Sequence, residues 1–287
     1  MKVAITGAGG FVGKELTRFF SVHRQVMPLT RHSLDITDVD AVRRTITDFH
    51  PDLIINCAVS GVNDCESNPS LAHAVNVAGP KYLAEAAAEI DAEFLHFSTN
   101  YVFDGKREVG TFYTCRDAAL PINKYGETKL AGELAARMAS PKLYILRTSW
   151  VFGAGKEDNF FGHAPHALMD RKRLRAVTDV HASVTYVDDL VARVDEILAR
   201  HRYDTYHVVN DGACSYYEYA MEVARELKLS SEEIDDLIEA VTESEMHRDV
   251  VRPRYTAMRC VVSEELGLPA LPYWKTALSR YLNGFRI

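Results

Sequence analysis

The chain opens "MKVAITGAGGFVGKELTRFF", Met1 to Phe20. "KVAIT" is a short apolar strand, and "FVGKELTRFF" carries helical spacing. Between them glycine recurs at Gly7, Gly10 and Gly13, with Phe11 and Val12 inside the motif. A tight turn, a close backbone approach to a pyrophosphate and close helix–strand packing each call for a residue without a side chain. The helix N-terminus beyond offers amide groups and a positive dipole end to phosphates. A strand before the glycines and a helix after them is the context of a dinucleotide site. The next segments repeat the alternation. "QVMPLT", "PDLIINCA", "AEFLHFST" and "KLYILRTSW" read as strands, separated by helical "DVDAVRRTITDFH", the long "PSLAHAVNVAGPKYLAEAAAEI" and "KYGETKLAGE". The strands are apolar throughout, as in a parallel sheet covered on both faces. The fold class is therefore α/β: a doubly wound, Rossmann-type sheet over residues 1–150. Residues 151–287 complete the core and form a small C-terminal substrate-binding lobe. In that part "RLRAVT" and "TYHVVN" extend the sheet, and the acidic "SSEEIDDLIEAVTESE" reads as one or two helices.

Composition narrows the function. The chain has 287 residues, 47% hydrophobic and 25% charged, with a net charge of −7 that argues against nucleic acid as a partner. Its apolar runs are too short to cross a membrane, and no leader peptide is visible, so the expected setting is cytoplasmic. Five scattered cysteines with no CxxC pair suggest neither a disulfide framework nor a zinc site. His163 and His166 share a helical face without an acidic or cysteine partner, so no metal is expected.

The end of the second strand reads Leu29-Thr30-Arg31-His32, with no carboxylate where NAD ribose would call for one. Arg31 suits a 2′-phosphate, which points to NADPH, with NADH as the alternative. Asp35 and Ile36 are placed to bracket the adenine edge. Tyr125 and Lys129 stand four residues apart on one helix, so both project from one face. An ammonium beside a phenol lowers the phenol's pKa, and such a tyrosine exchanges a proton with a carbonyl oxygen. Ser98 and Thr99, at the carboxyl end of the fourth strand, supply hydroxyls where ligands of such sheets bind. The arrangement reads as a carbonyl reduction site.

These residues carry a resemblance. The blocks "GAGGFVG", "LDITD", "PDLIINCA", "NVAGPKYLAEAA", "STNYVFDG", "PINKYGETKLAGE", "LRTSWVFG", "RPRYTAM" and "LPYWKTAL" resemble, in order, those of the extended short-chain dehydrogenases/reductases. Within these they are most similar to the dTDP-4-dehydrorhamnose reductase family and its sugar-nucleotide relatives. The resemblance implies Thr99, Tyr125 and Lys129 as a catalytic triad. Ser98, Cys57, Ala58, Val59 and Asn76 then line the cofactor cleft, and Val102, Trp150 and Asn159 lie near the sugar nucleotide. The implied activity is NADPH-dependent reduction of a keto group on a dTDP-linked 4-keto-6-deoxysugar, with a homodimer as the expected assembly. Two other readings share the resemblance: an NADP-binding regulatory subunit like the methionine adenosyltransferase beta subunit, and a sugar-nucleotide epimerase. The chain departs from the family pattern at Ser60–Asn63, at Cys115 in place of a glutamate, and in "DVHASVT", where Val180, Ala182 and Val184 replace glutamine, glycine and proline. Those departures are expected on the substrate side and predict a preference for another dTDP-4-keto-6-deoxysugar. The basic run "RKRLR", Arg171 to Arg175, is a candidate diphosphate contact.

Overall fold

The opening strand is β1, Lys2–Thr6, and it pairs in parallel with β2, Gln25–Leu29, on one side and β3, Leu53–Asn56, on the other. In this computed structural model, which describes residues 1–284, β3 pairs in parallel with β4, Glu93–Thr99. The six-stranded sheet runs in the order Thr205–His207, β5 (Leu143–Thr148), β4, β3, β1, β2. The reversal of direction at β1 and β3 is the crevice where doubly wound sheets bind their ligands. The central strands are buried end to end: all four residues of β3 are inaccessible or nearly so, as a sheet covered on both faces requires. Pro28 sits in β2, an edge strand, where a missing amide costs least.

Residues group into two compact units. The first comprises 1–103, 118–147 and 194–206; the second comprises 104–117, 148–193 and 207–287. A single cut at residue 150 therefore misses two excursions, one by the segment 104–117 and one by 194–206. In the first unit, helix α1, Phe11–Phe20, follows the glycine turn, and α2, Val39–Phe49, is capped by Asp38, whose carboxylate accepts the Ala41 amide at 3.0 Å. The long helix expected from Pro69 is present but changes pitch. Pro69–His73 and Gly79–Glu89 are α-helical, and Ala74–Ala78 between them is a π-turn. Such a turn widens the helix locally and is a frequent mark of a functional position.

The second unit packs a core of its own, with Phe152, Phe161, Tyr219, Trp274 and Leu278 at its centre. One expectation is corrected here. The acidic stretch expected as one or two helices is α-helical over Ser231–Leu237 and ends in a 3-10 turn, Glu243–Met246; between them Ile238–Val241 is a strand paired in parallel with Leu174–Val177. Tertiary pairing with "LRAV" outweighs the local helical preference of "IEAV". The same segment accounts for the basic run. Arg171 pairs with Glu233 at 3.0 Å, Arg173 with Asp236, and Arg175 with Glu239 at 3.5 Å. These cations face the acidic helix and its following strand rather than standing free for a diphosphate.

Candidate active site

The glycine turn explains itself sterically. Gly7 has a positive φ of 67°, and a Cβ there would lie 2.5 Å from the Ala58 amide nitrogen. A Cβ on Gly13 would lie 2.3 Å from the Gly7 carbonyl oxygen. The Gly10 amide donates to that carbonyl at 2.9 Å, and Gly10 caps α1 with no side chain to occupy the helix end. The turn lines a cavity of about 360 Å³ together with Arg31, Asp35, Ile36, Cys57, Ala58 and Val59. The same cavity takes Gly9, Leu34, Thr37, Ser60, Asp64, Leu71 and Val75, which the motif did not single out. Phe11, Val12 and Gly13 are not among its walls; they shape the turn behind it. Asp35 accepts the Thr37 amide at 2.9 Å and the Thr37 hydroxyl at 2.8 Å, which hold its carboxyl below the usual range with help from Arg31.

Two expected cofactor contacts serve the protein instead. Asn76, in the π-turn, is fully buried. Its Oδ1 accepts the Ser60 amide at 2.8 Å, and its Nδ2 donates to the Ser60 carbonyl and to Thr128 Oγ1, both at 3.1 Å. The residue is a brace for the cavity wall, not part of it. Ser98 donates its hydroxyl to Glu133, which holds Arg147 through two bonds of 2.9 and 2.6 Å in a pair almost wholly out of water.

Helix Lys124–Ala139 carries the candidate chemistry. Asn123 caps it by accepting the Gly126 amide at 2.8 Å. A Cβ on Gly126 would lie 2.2 Å from the Tyr101 carbonyl oxygen, so glycine lets the first turn settle onto the end of β4. That contact sets the Tyr125 ring edge-on to Tyr101, centroids 5.5 Å apart, and brings its phenol beside Thr99, whose hydroxyl donates to Asn100 Oδ1 at 3.2 Å. Burial pushes the Tyr125 phenol up to about 12, and the neighbouring Thr99 hydroxyl opposes the shift. The expectation that Lys129 lowers this pKa is not met. Lys129 donates to the Phe97 carbonyl at 2.6 Å and lies 3.4 Å from His96 Nε2, with no bond to the phenol. A phenol held near 12 is protonated at neutral pH, as an ordinary one is, and is the weaker acid, so opposite charge brought beside it would favour proton transfer.

Buried His96 was not foreseen. Asn56 Oδ1 is taken by the Thr6 hydroxyl and the Ala58 amide, so its Nδ2 faces His96 Nδ1 at 3.1 Å. The imidazole proton therefore sits on Nε2, towards Lys129. Burial holds His96 neutral and lowers the Lys129 ammonium to about 8 from an ordinary 10.5. Between those two pH values the unfolded chain keeps a proton that the folded one has lost. Stability contributed through Lys129 is thus expected to rise as pH rises from 8 to 10.5, and Lys129→Met to flatten that slope in urea titrations. Parallel slopes for parent and variant would refute the burial of this charge.

The three residues expected near the sugar differ among themselves. Val102 is fully buried, a core residue with no face to offer a ligand. Asn159 caps helix Phe160–Met169, accepting the Gly162 amide at 2.9 Å, while its Nδ2 holds the Val151 carbonyl at 3.0 Å. Trp150 is half-buried, stacked 4.5 Å from Phe161 and 4.5 Å from Tyr216, with φ at 42°. A bulky residue in the left-handed region costs ~1–3 kcal/mol and tends to mark functional sites. Val180, Ala182 and Val184 are buried core of the second unit. Their departure from the family pattern is a packing difference, and it removes that ground for expecting a shifted substrate. Among the described residues no group of three His, Cys, Asp or Glu side chains converges to hold a metal, and no helix is long and apolar enough to cross a membrane.

The sequence profile of the family described as "RmlD substrate binding domain" matches residues 1–287. The chain belongs to this family. It is 36% identical over 281 residues to a dTDP-4-dehydrorhamnose reductase of Mycolicibacterium smegmatis, covering 96% of this chain and 84% of the relative. Among solved structures it is similar to a dTDP-4-dehydrorhamnose reductase of Clostridium acetobutylicum, at 33% identity and a TM-score of 0.92 over 100% of both chains. The reductase of Bacillus anthracis in complex with NADP gives 30% identity and a TM-score of 0.91 over 99% of both. Family membership is thus consistent with the Rossmann-type sheet and with the dinucleotide cradle built on Gly7.

Proposed function

We propose that the protein reduces the keto group of a dTDP-linked 4-keto-6-deoxysugar with NADPH, dTDP-4-dehydrorhamnose being the first substrate to test. The observation that carries this reading is the placement of the Tyr125 phenol beside Thr99, the residue that ends β4, in the same unit as the glycine cradle. The names of the relatives, and the NADP bound to one of them, support it.

The cradle fits a dinucleotide: Gly7, Gly9 and Gly10 line it without side chains, Gly7 and Gly13 allow the close turn that forms it, and the cavity wall supplies Arg31. The amides opening α1 would hold the pyrophosphate and Arg31 the 2′-phosphate. Asp35 and Ile36 flank the adenine side of the same cavity. When bound, the reduced nicotinamide supplies the hydride. Thr99 orients the carbonyl oxygen, and Tyr125, protonated at neutral pH, delivers the proton to that oxygen. Lys129, anchored on the Phe97 carbonyl, lends positive charge beneath the tyrosine and a donor for ribose. Trp150 and Asn159 are the substrate contacts we retain from the family resemblance, with Trp150 the stronger because its strained backbone presents a half-buried aromatic face.

Steady-state NADPH oxidation with dTDP-4-dehydrorhamnose tests the activity, with other nucleotide keto-sugars in parallel. Turnover of the dTDP-keto-sugar is expected. A protein that binds NADPH yet consumes none with any keto-sugar is a binding module, and the reading fails. In the same assay Arg31→Ala should weaken NADPH roughly ten- to a hundred-fold, a charged hydrogen bond being worth about 1.5–3 kcal/mol, and leave NADH nearly unchanged. Equal losses for both cofactors would remove Arg31 from the 2′-phosphate.

A further inference from the structure

Two cysteines that lie 145 residues apart in the chain meet in the second unit, with sulfurs 3.6 Å apart. Their meeting is a matter of register. Tyr113 and Met258 form a parallel bridge, with the Tyr113 amide on the Ala257 carbonyl at 2.8 Å and the Arg259 amide on the Tyr113 carbonyl at 2.9 Å. Two residues further along each segment, Cys115 comes opposite Cys260. Neighbouring parallel strands are ~4.8 Å apart, within the ~4.4–6.8 Å between Cα atoms that a disulfide spans.

The two sulfurs are not equivalent. Cys260 Sγ receives the His207 amide at 3.3 Å, the Ser263 amide at 3.4 Å and the Ser263 hydroxyl at 3.1 Å. These donors, with the Cys115 thiol ahead of them, lower Cys260 to about 6, and the same pairing pushes Cys115 up. The donors ranged on Cys260 favour its ionised form over that of Cys115. Both side chains are part-exposed, and Cys260 lines a cavity of about 580 Å³ with Phe112, His207, Arg259 and Ser263. Low pKa, access and an adjacent second thiol are the three properties that make a cysteine react with oxidants.

We propose that Cys260 and Cys115 are a peroxide-oxidisable dithiol, with Cys260 as the attacking sulfur and Cys115 as the resolving one. The Cys260 thiolate attacks one oxygen of a peroxide ROOH. A sulfur–oxygen bond forms, the oxygen–oxygen bond breaks, and ROH leaves with a proton from solvent. The sulfenic acid then meets the Cys115 sulfur. The sulfur–sulfur bond forms, the sulfur–oxygen bond breaks, and hydroxide departs as water with the Cys115 proton. The dithiol loses two electrons and the peroxide gains them; a small dithiol reductant restores the pair. The bond would tie the segment 104–117 to the start of helix Val261–Glu265, fixing one wall of the cavity. Neither sulfur belongs to the reduction chemistry above, so the pair is a separate reactive site.

The test is hydrogen peroxide at a few equivalents, quenching with N-ethylmaleimide and peptide mapping without reductant. The parent should lose two hydrogens and yield a single linkage, Cys115 to Cys260, reversed by dithiothreitol, with Cys57, Cys65 and Cys214 left as thiols. Cys115→Ser should accumulate a dimedone-reactive sulfenic acid on Cys260. Cys260→Ser should consume peroxide more slowly by roughly tenfold or more, because an ordinary thiol is only a few per cent ionised at pH 7. Oxidation of the parent without that linkage overturns the proposal, and the parent map decides this even if a variant fails to fold. A Cys260→Ser variant that reacts at the parent rate overturns the assignment of the attacking sulfur.

Discussion

Tyr125→Phe is expected to lower the rate of keto-sugar reduction by ~10²–10⁴-fold, the range for loss of a positioned general acid. The substitution removes one hydroxyl and leaves the ring, so the edge-on contact with Tyr101 at 5.5 Å survives. What disappears is the hydroxyl beside Thr99 and the proton it carries, its pKa near 12. NADPH affinity should hold, because the proposed contacts of the pyrophosphate and the 2′-phosphate are the turn at Gly7–Gly13 and Arg31 rather than the phenol. The loss therefore falls on kcat rather than on cofactor binding. Thr99→Val should show a smaller loss, since it removes an orienting partner and leaves the donor. Single-turnover rates beside cofactor titrations separate these terms. A Tyr125→Phe protein that turns over like the parent would assign the proton to another group.

The largest expected loss of stability lies about two turns along the same helix. Glu133 and Arg147 form a two-bonded ion pair with side chains 4% and 7% exposed, and Ser98 adds a third bond to the carboxylate. Glu133→Ala leaves the guanidinium buried and uncompensated, at a cost of ~3–5 kcal/mol. Removing both charges with Glu133→Leu and Arg147→Met should restore much of the loss, because a well-packed apolar pair can replace a buried ion pair. Urea denaturation of the three proteins measures this. A single variant within about 1 kcal/mol of the parent would mean that water reaches the pair. Glu133 also raises the Lys129 pKa through its charge, so its loss should weaken the hold on that ammonium as well.

How much of this was legible beforehand depends on distance along the chain. The turn at Gly7–Gly13 and the alternation of apolar strands with helices are local patterns, and they predict the parallel sheet directly. Tyr125 and Lys129 are legible for the same reason, standing four positions apart on one helix. The partners of Lys129 are not. His96 and Phe97 belong to β4, and their approach depends on how closely the helix settles, which a spacing rule does not contain. Ser98 and Asn76 fall in family blocks, yet the structure spends their side chains on Glu133 and Ser60. A motif gives the position of a residue and not the direction of its hydrogen bonds. The strand Ile238–Val241 escaped for a related reason, since its partner Leu174–Val177 lies more than sixty residues away. The meeting of Cys115 and Cys260 is the extreme case, because parallel register alone brings them together.

Pro28 limits the ways in which copies of this chain can assemble. The five-residue ladder between β1 and β2 runs unbroken through the pair Ile5 and Pro28, so the missing amide belongs to the outer side of the edge. A second sheet docking there, strand to strand, would find a gap in its row of donors. The proline thus acts as a stopper against continuous sheet growth and against the edge-to-edge aggregation that exposed strands invite. Cross-linking sites for mapping contacts between copies therefore belong on other surfaces than β2, the opposite edge strand Thr205–His207 among them.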